Sequence, residues 1–273
     1  MDMSELKEKC RKIRIDIINM VAAAKCGHPG GSLSSVELMV ALFNTQMKVD
    51  PKNPNDPNRD RFVLSKGHCA PVYYAVLCDK GFFPREELSG LRQMGRMLQG
   101  HPVVNKIPGV DASSGSLGQG MSIATGMALG AKKAGSGVKV YTLCGDGELQ
   151  EGLIWEAAMA AAHYKLDNLT VIVDNNGMQI DGTNDQVMSL GCLRAKFEAF
   201  GFNVVEVADG NDLEQVLAAF EKKTAEGKPK CILAHTLKGK GVSYMEGEVS
   251  WHGKAPNEEL RAVAVAELEA MKI

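Results

Sequence analysis

The chain has 273 residues, 45% hydrophobic and 23% charged, with a formal net charge of −2. That length supports one domain with a large core, the near balance of charge argues against a nucleic acid partner, and no apolar run approaches the ~18 residues that would suggest a membrane span. The seven cysteines (Cys10, Cys26, Cys69, Cys78, Cys144, Cys192 and Cys231) are scattered without a CxxC pair, which excludes a disulfide framework or zinc site and predicts reduced thiols in the core or near a ligand. The N-terminus (MDMSELKEKCRKIR) carries charges of both signs where a signal peptide is apolar, so a cytoplasmic location is expected.

Residues 4–24 read as an amphipathic helix, with Leu6, Ile13, Ile17 and Met20 at helical spacing. The following KCGHPGGS segment crowds helix breakers around His28 and holds its imidazole on a loop. Residues 34–43 read as a second helix, 51–57 as a turn-rich connector and 61–64 as a short strand. Ser65-Lys66-Gly67-His68 sits at the carboxyl end of that strand, before a helix over 71–79. Residues 85–98 read as helical and charged, and Gly100-His101-Pro102 sets a second histidine between helix breakers. The loop 111–120 (DASSGSLGQG) has few side chains, exposes backbone N–H and C=O groups to a flat ligand, and leads into a helix over 121–134.

The centre of the chain is a strand, turn, helix, strand, turn unit. An apolar run over 138–143 reads as a buried parallel strand ending at Gly145-Asp146-Gly147. Two glycines let the backbone turn sharply and approach an anion, with the Asp146 carboxylate between them. An Ala-rich helix (152–164) and a second buried run (169–173) lead to Asp174-Asn175-Asn176-Gly177-Met178. One βαβ crossover puts both carboxyl ends at the same rim, so Asp146 and Asn176 can converge on one ion. A carboxylate, an amide oxygen and a backbone carbonyl suit Mg²⁺ or Ca²⁺ over Zn²⁺, and magnesium's remaining ligands imply a diphosphate. Gly145-x-Gly147 lacks the third glycine of a dinucleotide fingerprint, and Lys238-Gly239-Lys240-Gly241 is not a Walker motif.

Segments 192–200, 203–207, 212–225 and 231–234 add α/β elements, and a helix over 257–271 closes the chain. Strands alternating with helices predict a three-layer α/β/α fold with a mainly parallel sheet. His163 in a helix and His235 in a strand are expected to be satisfied packing residues.

The stretch GDGELQEG…NLTVIVDNNGMQIDG resembles the thiamine-diphosphate motif, and its decoration resembles that of transketolases. The GHPG, SKGH, GHP, GSLGQG, TLKGKG and SWHGK segments are similar to segments of the same family. The resemblance implies a domain that binds the diphosphate side of thiamine diphosphate, with Asp146, Asn176 and the Met178 carbonyl holding Mg²⁺ or Ca²⁺. It places Lys66, His68, Gly145, Gly147, Lys238 and His252 by the diphosphate, with Ile180 closing the ligand loop. Gly115 and Leu117 would offer backbone contacts to the aminopyrimidine ring. His28, His101 and His252 would hold or shuttle protons on sugar oxygens. Glu151 resembles a family glutamate at the interface between protomers that links two active sites.

Residues 1–273 match only the diphosphate-side (PP-type) domain, so the pyrimidine-binding and C-terminal domains, with the glutamate that drives the cofactor, are expected on a separate chain. The implied protein is the N-terminal subunit of a split transketolase, two copies of each chain forming a heterotetramer that is inactive without the partner. It would transfer a two-carbon ketol unit from a ketose phosphate such as xylulose 5-phosphate to an aldose phosphate such as ribose 5-phosphate or erythrose 4-phosphate, as in the pentose phosphate pathway. The alternatives are one chain of a deoxyxylulose-phosphate synthase-like or 2-oxoacid dehydrogenase-like enzyme, or a non-catalytic cofactor-binding subunit. Ser116, where many members have Pro, and Gly177, where a larger residue is common, leave substrate preference open.

Overall fold

β-branched and aliphatic runs too short for helices pair in a computed structural model that describes residues 1–271. The strands are β1 (Arg61–Leu64), β2 (Val140–Gly145), β3 (Leu169–Asn175), the short hairpin of β4 (Met178–Gln179) and β5 (Gly182–Thr183), β6 (Asn203–Val207) and β7 (Lys230–His235). The main sheet is parallel throughout, in the order β1-β2-β3-β7-β6. Its register sets Gly145 beside Asp174 and Asn175 beside His235, so the turns after β2, β3 and β7 emerge at one rim.

The helices are α1 (Met3–Ala24), α2 (Pro29–Ser34), α3 (Val36–Ala41), α4 (Ala70–Lys80), α5 (Gln119–Lys133), α6 (Gly152–His163), α7 (Asn184–Val187), α8 (Leu193–Ala199), α9 (Leu213–Glu221) and α10 (Glu258–Ala270). Strand side chains alternate between two cores, as the pleat requires. Phe62, Leu143, Ile172 and Ile232 pack with α1, α3, α4, α9 and α10, while Val63, Cys144, Val173 and Leu233 pack with α5, α6 and α8. The chain therefore leaves β1 and β7 toward one face and β2 and β3 toward the other. Parallel sheets open a ligand crevice where neighbouring strands part in this way, beyond their carboxyl ends.

The parallel three-layer architecture agrees with the sequence reading, and several local expectations need correction. Residues 85–98 form no helix: a 3₁₀ turn (Arg85–Gly90) gives way to turns in which Arg92 (φ 58°) and Gly95 (φ 77°) are left-handed. The N–H of Arg92 then bonds to the Leu98 carbonyl and closes the loop. Helix α2 starts inside the expected loop, because Pro29 is preset for a first helical position, and His28 becomes its N-cap residue. The expected helix over 34–43 is divided at Ser35 into α2 and α3. Helix α9 stops at Glu221, where the buried Lys230 ammonium donates to the Ala219, Phe220 and Lys222 carbonyls. His163 and His235 are not buried packing residues: His235 is exposed and meets Glu206 (2.8 Å) and Asn175 (3.2 Å), and the exposed His163 ring meets that of Tyr164. Cys192 is likewise exposed, away from both core and ligand cavity. Among the described residues no helix is long and apolar enough to cross a membrane.

The start of α5 is pressed against the end of β1. A Cβ on Gly120 would stand 2.4 Å from Ser65 Cα, where backbone meets backbone. Gly120→Ala is expected to lower stability by about 1–3 kcal/mol through overpacking. The midpoint of urea unfolding measures it, and an unchanged midpoint would show that the two elements separate freely.

Candidate active site

The rim is assembled around a buried ion pair. Asp174, at the end of β3, is fully buried and accepts from Lys66 Nζ (2.5 Å), Ser34 Oγ (2.6 Å), Ser35 Oγ (3.2 Å), Asn176 Nδ2 (3.2 Å) and the Thr236 hydroxyl. Lys66 also donates to Ser35 Oγ (2.5 Å) and the Gly31 carbonyl (2.9 Å). Burial alone would raise the pKa of Asp174, but the Lys66 ammonium and then the hydroxyls hold it below the usual carboxylate value. A second buried acid, Glu148, accepts from Ser65 Oγ (2.5 Å), the Gly118 N–H (2.8 Å) and the Gly145 N–H (3.0 Å). These two carboxylates lock the turns after β1, β2, β3 and β7 and the loop before α5.

Asp146 contrasts with both. It is 2% exposed and accepts from the backbone N–H groups of Gly147 (2.8 Å) and Gly177 (2.5 Å). Neutral donors leave its charge uncompensated, and burial, reinforced by Asp174, pushes its pKa up to about 6. Asn176 Oδ1 accepts from the Met178 N–H (3.1 Å). The Met178 carbonyl accepts weakly from Lys238 Nζ (3.3 Å), which also meets His252 Nδ1 (3.0 Å). A buried carboxylate short of positive charge, beside an amide and a carbonyl oxygen, fits a hard divalent cation.

Three histidines pack as one cluster beside these groups. The ring centroids of His28, His68 and His252 stand 5.1 to 5.4 Å apart. Burial, then Arg92, His101 and Lys238, brings His28 down to about 4, while burial, then Lys238, brings His252 down to about 3. Burial, then Lys66, carries His68 well below its ordinary value. All three are neutral imidazoles at neutral pH, able to accept a proton on one nitrogen and donate from the other. His28 Nδ1 is buried with no partner among the described residues, an atom held ready for a ligand.

The cavity enclosed by these groups measures about 380 Å³. Every site residue expected from the sequence lines it except His101: His28, Lys66, His68, Gly115, Leu117, Gly145, Asp146, Gly147, Glu151, Asn176, Met178, Ile180, Lys238 and His252. His101 is exposed at the rim, where a Cβ on Gly115 would meet its ring at 3.2 Å. Lys66 reaches the floor, but its charge is spent on Asp174. Asp174 and Glu148 escaped sequence reasoning. Their only signal is position, one at a strand end before Asn176 and the other just after the GDG turn.

The fold and site together define a parallel α/β domain with a cavity at its strand tips, lined by a buried acid, a buried lysine and neutral imidazoles. The family described as "Transketolase, thiamine diphosphate binding domain" matches residues 6–268. The chain is 43% identical to one of the subunits of the apulose-4-phosphate transketolase of Phocaeicola vulgatus, over 98% of this chain and 95% of that one. It is 44% identical to a 6-deoxy-6-sulfo-D-fructose transketolase subunit of a Clostridium species, over 97% and 96%. Human transketolase is 40% identical over 92% of this chain but only 40% of its own length. The solved transketolase of Campylobacter jejuni superposes with a TM-score of 0.92 at 35% identity, covering 98% of this chain and 43% of that one. The chain belongs to the transketolase family, as the N-terminal, thiamine-diphosphate-binding subunit of a transketolase-type enzyme.

The depressed histidines make a linkage prediction. A folded-state pKa below the ordinary value near 6.5 gives stability that is present above pH 6.5 and is lost as pH falls through about 4 for His28. His28→Asn should flatten this acid limb, sparing about 2 kcal/mol of loss between pH 7 and pH 4 after allowance for partial exposure. Thermal melts across that range test it, and parallel pH profiles for the two proteins would contradict it.

Proposed function

We propose that this chain is the diphosphate-binding half of a two-chain cytoplasmic transketolase that moves a two-carbon ketol unit from a ketose phosphate to an aldose phosphate. The observation that carries the reading is the meeting of Asp146, Asn176 and Met178 at adjacent strand tips, over a cavity walled by Lys238 and three neutral histidines. Asp146, Asn176 and the Met178 carbonyl would hold Mg²⁺ or Ca²⁺. Gly145, Gly147, Lys238, His68 and His252 would take the diphosphate, with Gly115 and Leu117 beside the aminopyrimidine. When bound, thiamine diphosphate supplies the carbanion chemistry that breaks and forms the carbon–carbon bond.

The chain's own residues orient and move protons. His28 and His252, neutral and half-buried, would accept a proton from a sugar hydroxyl as its carbonyl forms and return it as the hydroxyl is restored. His101, at the rim over Gly115, would meet the substrate farther out. Lys238 would exchange its weak contact with the Met178 carbonyl for the diphosphate. Ile180 in the cavity lining (68% exposed) and Met188 (61% exposed), whose carbonyl accepts from the lining residue Gln150, present apolar side chains that a partner chain carrying the pyrimidine-binding domain would cover, with Glu151 also in the lining. Two copies of each chain are the expected assembly. That both relatives are named as subunits supports a partner, and their differing ketose names support a donor outside the ordinary pentose phosphate pathway as a second reading.

The test combines the purified chain and its partner with a panel of ketose phosphates and a sulfonated ketose. Ketol transfer should require both chains, and robust turnover by this chain alone would overturn the two-chain reading. Asp146→Ala should lower activity of the assembled enzyme at least 100-fold and abolish metal-dependent cofactor binding, because the site loses its one charged ligand. Activity retained in that variant would leave the chain a purely structural component.

A further inference from the structure

Lys66 stands in a segment that suggests direct contact with the diphosphate, yet its ammonium lies 1% exposed with all three of its donors engaged by Asp174 Oδ2, Ser35 Oγ and the Gly31 carbonyl. The far side of the pair is what matters. Asp174 Oδ2, the oxygen that receives Lys66, also accepts from the Asn176 side-chain amide at 3.2 Å. An amide has two faces, oxygen and NH₂, and a half-turn exchanges them. A carboxylate oxygen paired with an ammonium only accepts, so it selects the NH₂ face of Asn176 and leaves Oδ1 on the Met178 N–H, one residue beyond the Gly177 N–H that bonds Asp146 Oδ2.

We infer that Lys66 and Asp174 are positioning residues that orient the Asn176 amide oxygen toward the cation site, and that Lys66 is not itself a ligand of the diphosphate. The inference rests on the cofactor reading proposed above. Lys66 fixes the position of Asp174 Oδ2; that oxygen holds the Asn176 NH₂; Asn176 then offers oxygen in place of nitrogen. The hydroxyls of Ser34, Ser35 and Thr236 complete the shell of Asp174, so the relay is braced from α2, α3 and the turn after β7. Outer-shell partners of this kind typically govern metal affinity by about 10–100-fold.

The experiment uses the chain assembled with its partner, with Mn²⁺ as probe and thiamine diphosphate as cofactor. In Lys66→Met, Mn²⁺ affinity at saturating cofactor should fall roughly 10–100-fold. At saturating Mn²⁺, cofactor affinity should return to within about threefold of wild type. Asp174→Asn should show the same pattern, and the double variant should be no weaker than the weaker single, since both act through one contact. A cofactor affinity that stays low at saturating Mn²⁺, or losses that multiply in the double variant, would place Lys66 on the diphosphate and overturn the inference. If Lys66→Met fails to fold, Asp174→Asn and the double variant, which removes both charges, are compared in its place, and equal Mn²⁺ affinities support the relay. Absence of Mn²⁺-dependent cofactor binding in the wild-type complex would instead overturn the functional reading, which separates the two failures.

Discussion

A charge at the tip of a buried parallel strand has to be paired, and the Lys66–Asp174 contact is where this fold meets that constraint. Both groups are essentially removed from water, so each alone would cost several kcal/mol. Breaking the pair from one side strands the other charge, which makes the contact a strong specifier of local structure. It holds the end of β1 against the end of β3, while the serines of α2 and α3 and Thr236 after β7 close on the same carboxylate. Four chain segments, distant in sequence, share one acid. The cavity exists because those segments cannot move independently.

With that pair neutralised internally, the remaining charges divide into a pattern suited to a ligand. Asp146 is buried with neutral donors, and Lys238 is buried beside the Met178 carbonyl and a neutral imidazole. One uncompensated anion and one poorly compensated cation face the same space. A cation joined to a diphosphate would answer both at once, with Asp146 as the residue to hold the metal and Lys238 the residue to meet the phosphate. The histidines stay neutral for the same electrostatic reason. Burial penalises their charged forms, and Lys66 or Lys238 adds to the penalty.

The sequence made the central unit legible because glycine, carboxylate and amide stand at the ends of apolar strand runs, where spacing translates directly into convergence. The parallel sheet followed from the same periodicity, although β2 runs from Val140 to Gly145, two residues later than the apolar run suggests. The false helix over 85–98 shows where that logic stops: charged residues at helical spacing carry no information about Arg92 and Gly95, whose left-handed backbones turn the loop so that the Arg92 N–H meets the Leu98 carbonyl. Asp174 and Glu148 were invisible for a related reason. Their partners come from loops that only the tertiary fold brings together, and a buried acid at a strand end looks in sequence like any turn residue. The resemblance located Lys66 in the pocket, whereas only geometry shows where its charge goes.

The wall of the cavity is set by close backbone approaches that leave little to be arranged by a ligand. A Cβ on Gly67 would stand 2.7 Å from the Gly115 N–H nitrogen, and one on Gly31 would stand 2.7 Å from Cys69 Sγ. These loops touch where side chains would otherwise be, so the backbone surfaces facing the cavity are fixed by contact with one another. A preorganised polar surface costs no reorganisation when charge is placed against it, which is where such sites gain over water. Beyond this wall Ile180 and Met188 stand exposed. Exposed apolar side chains at the edge of a fixed wall are a surface to which another chain would be held.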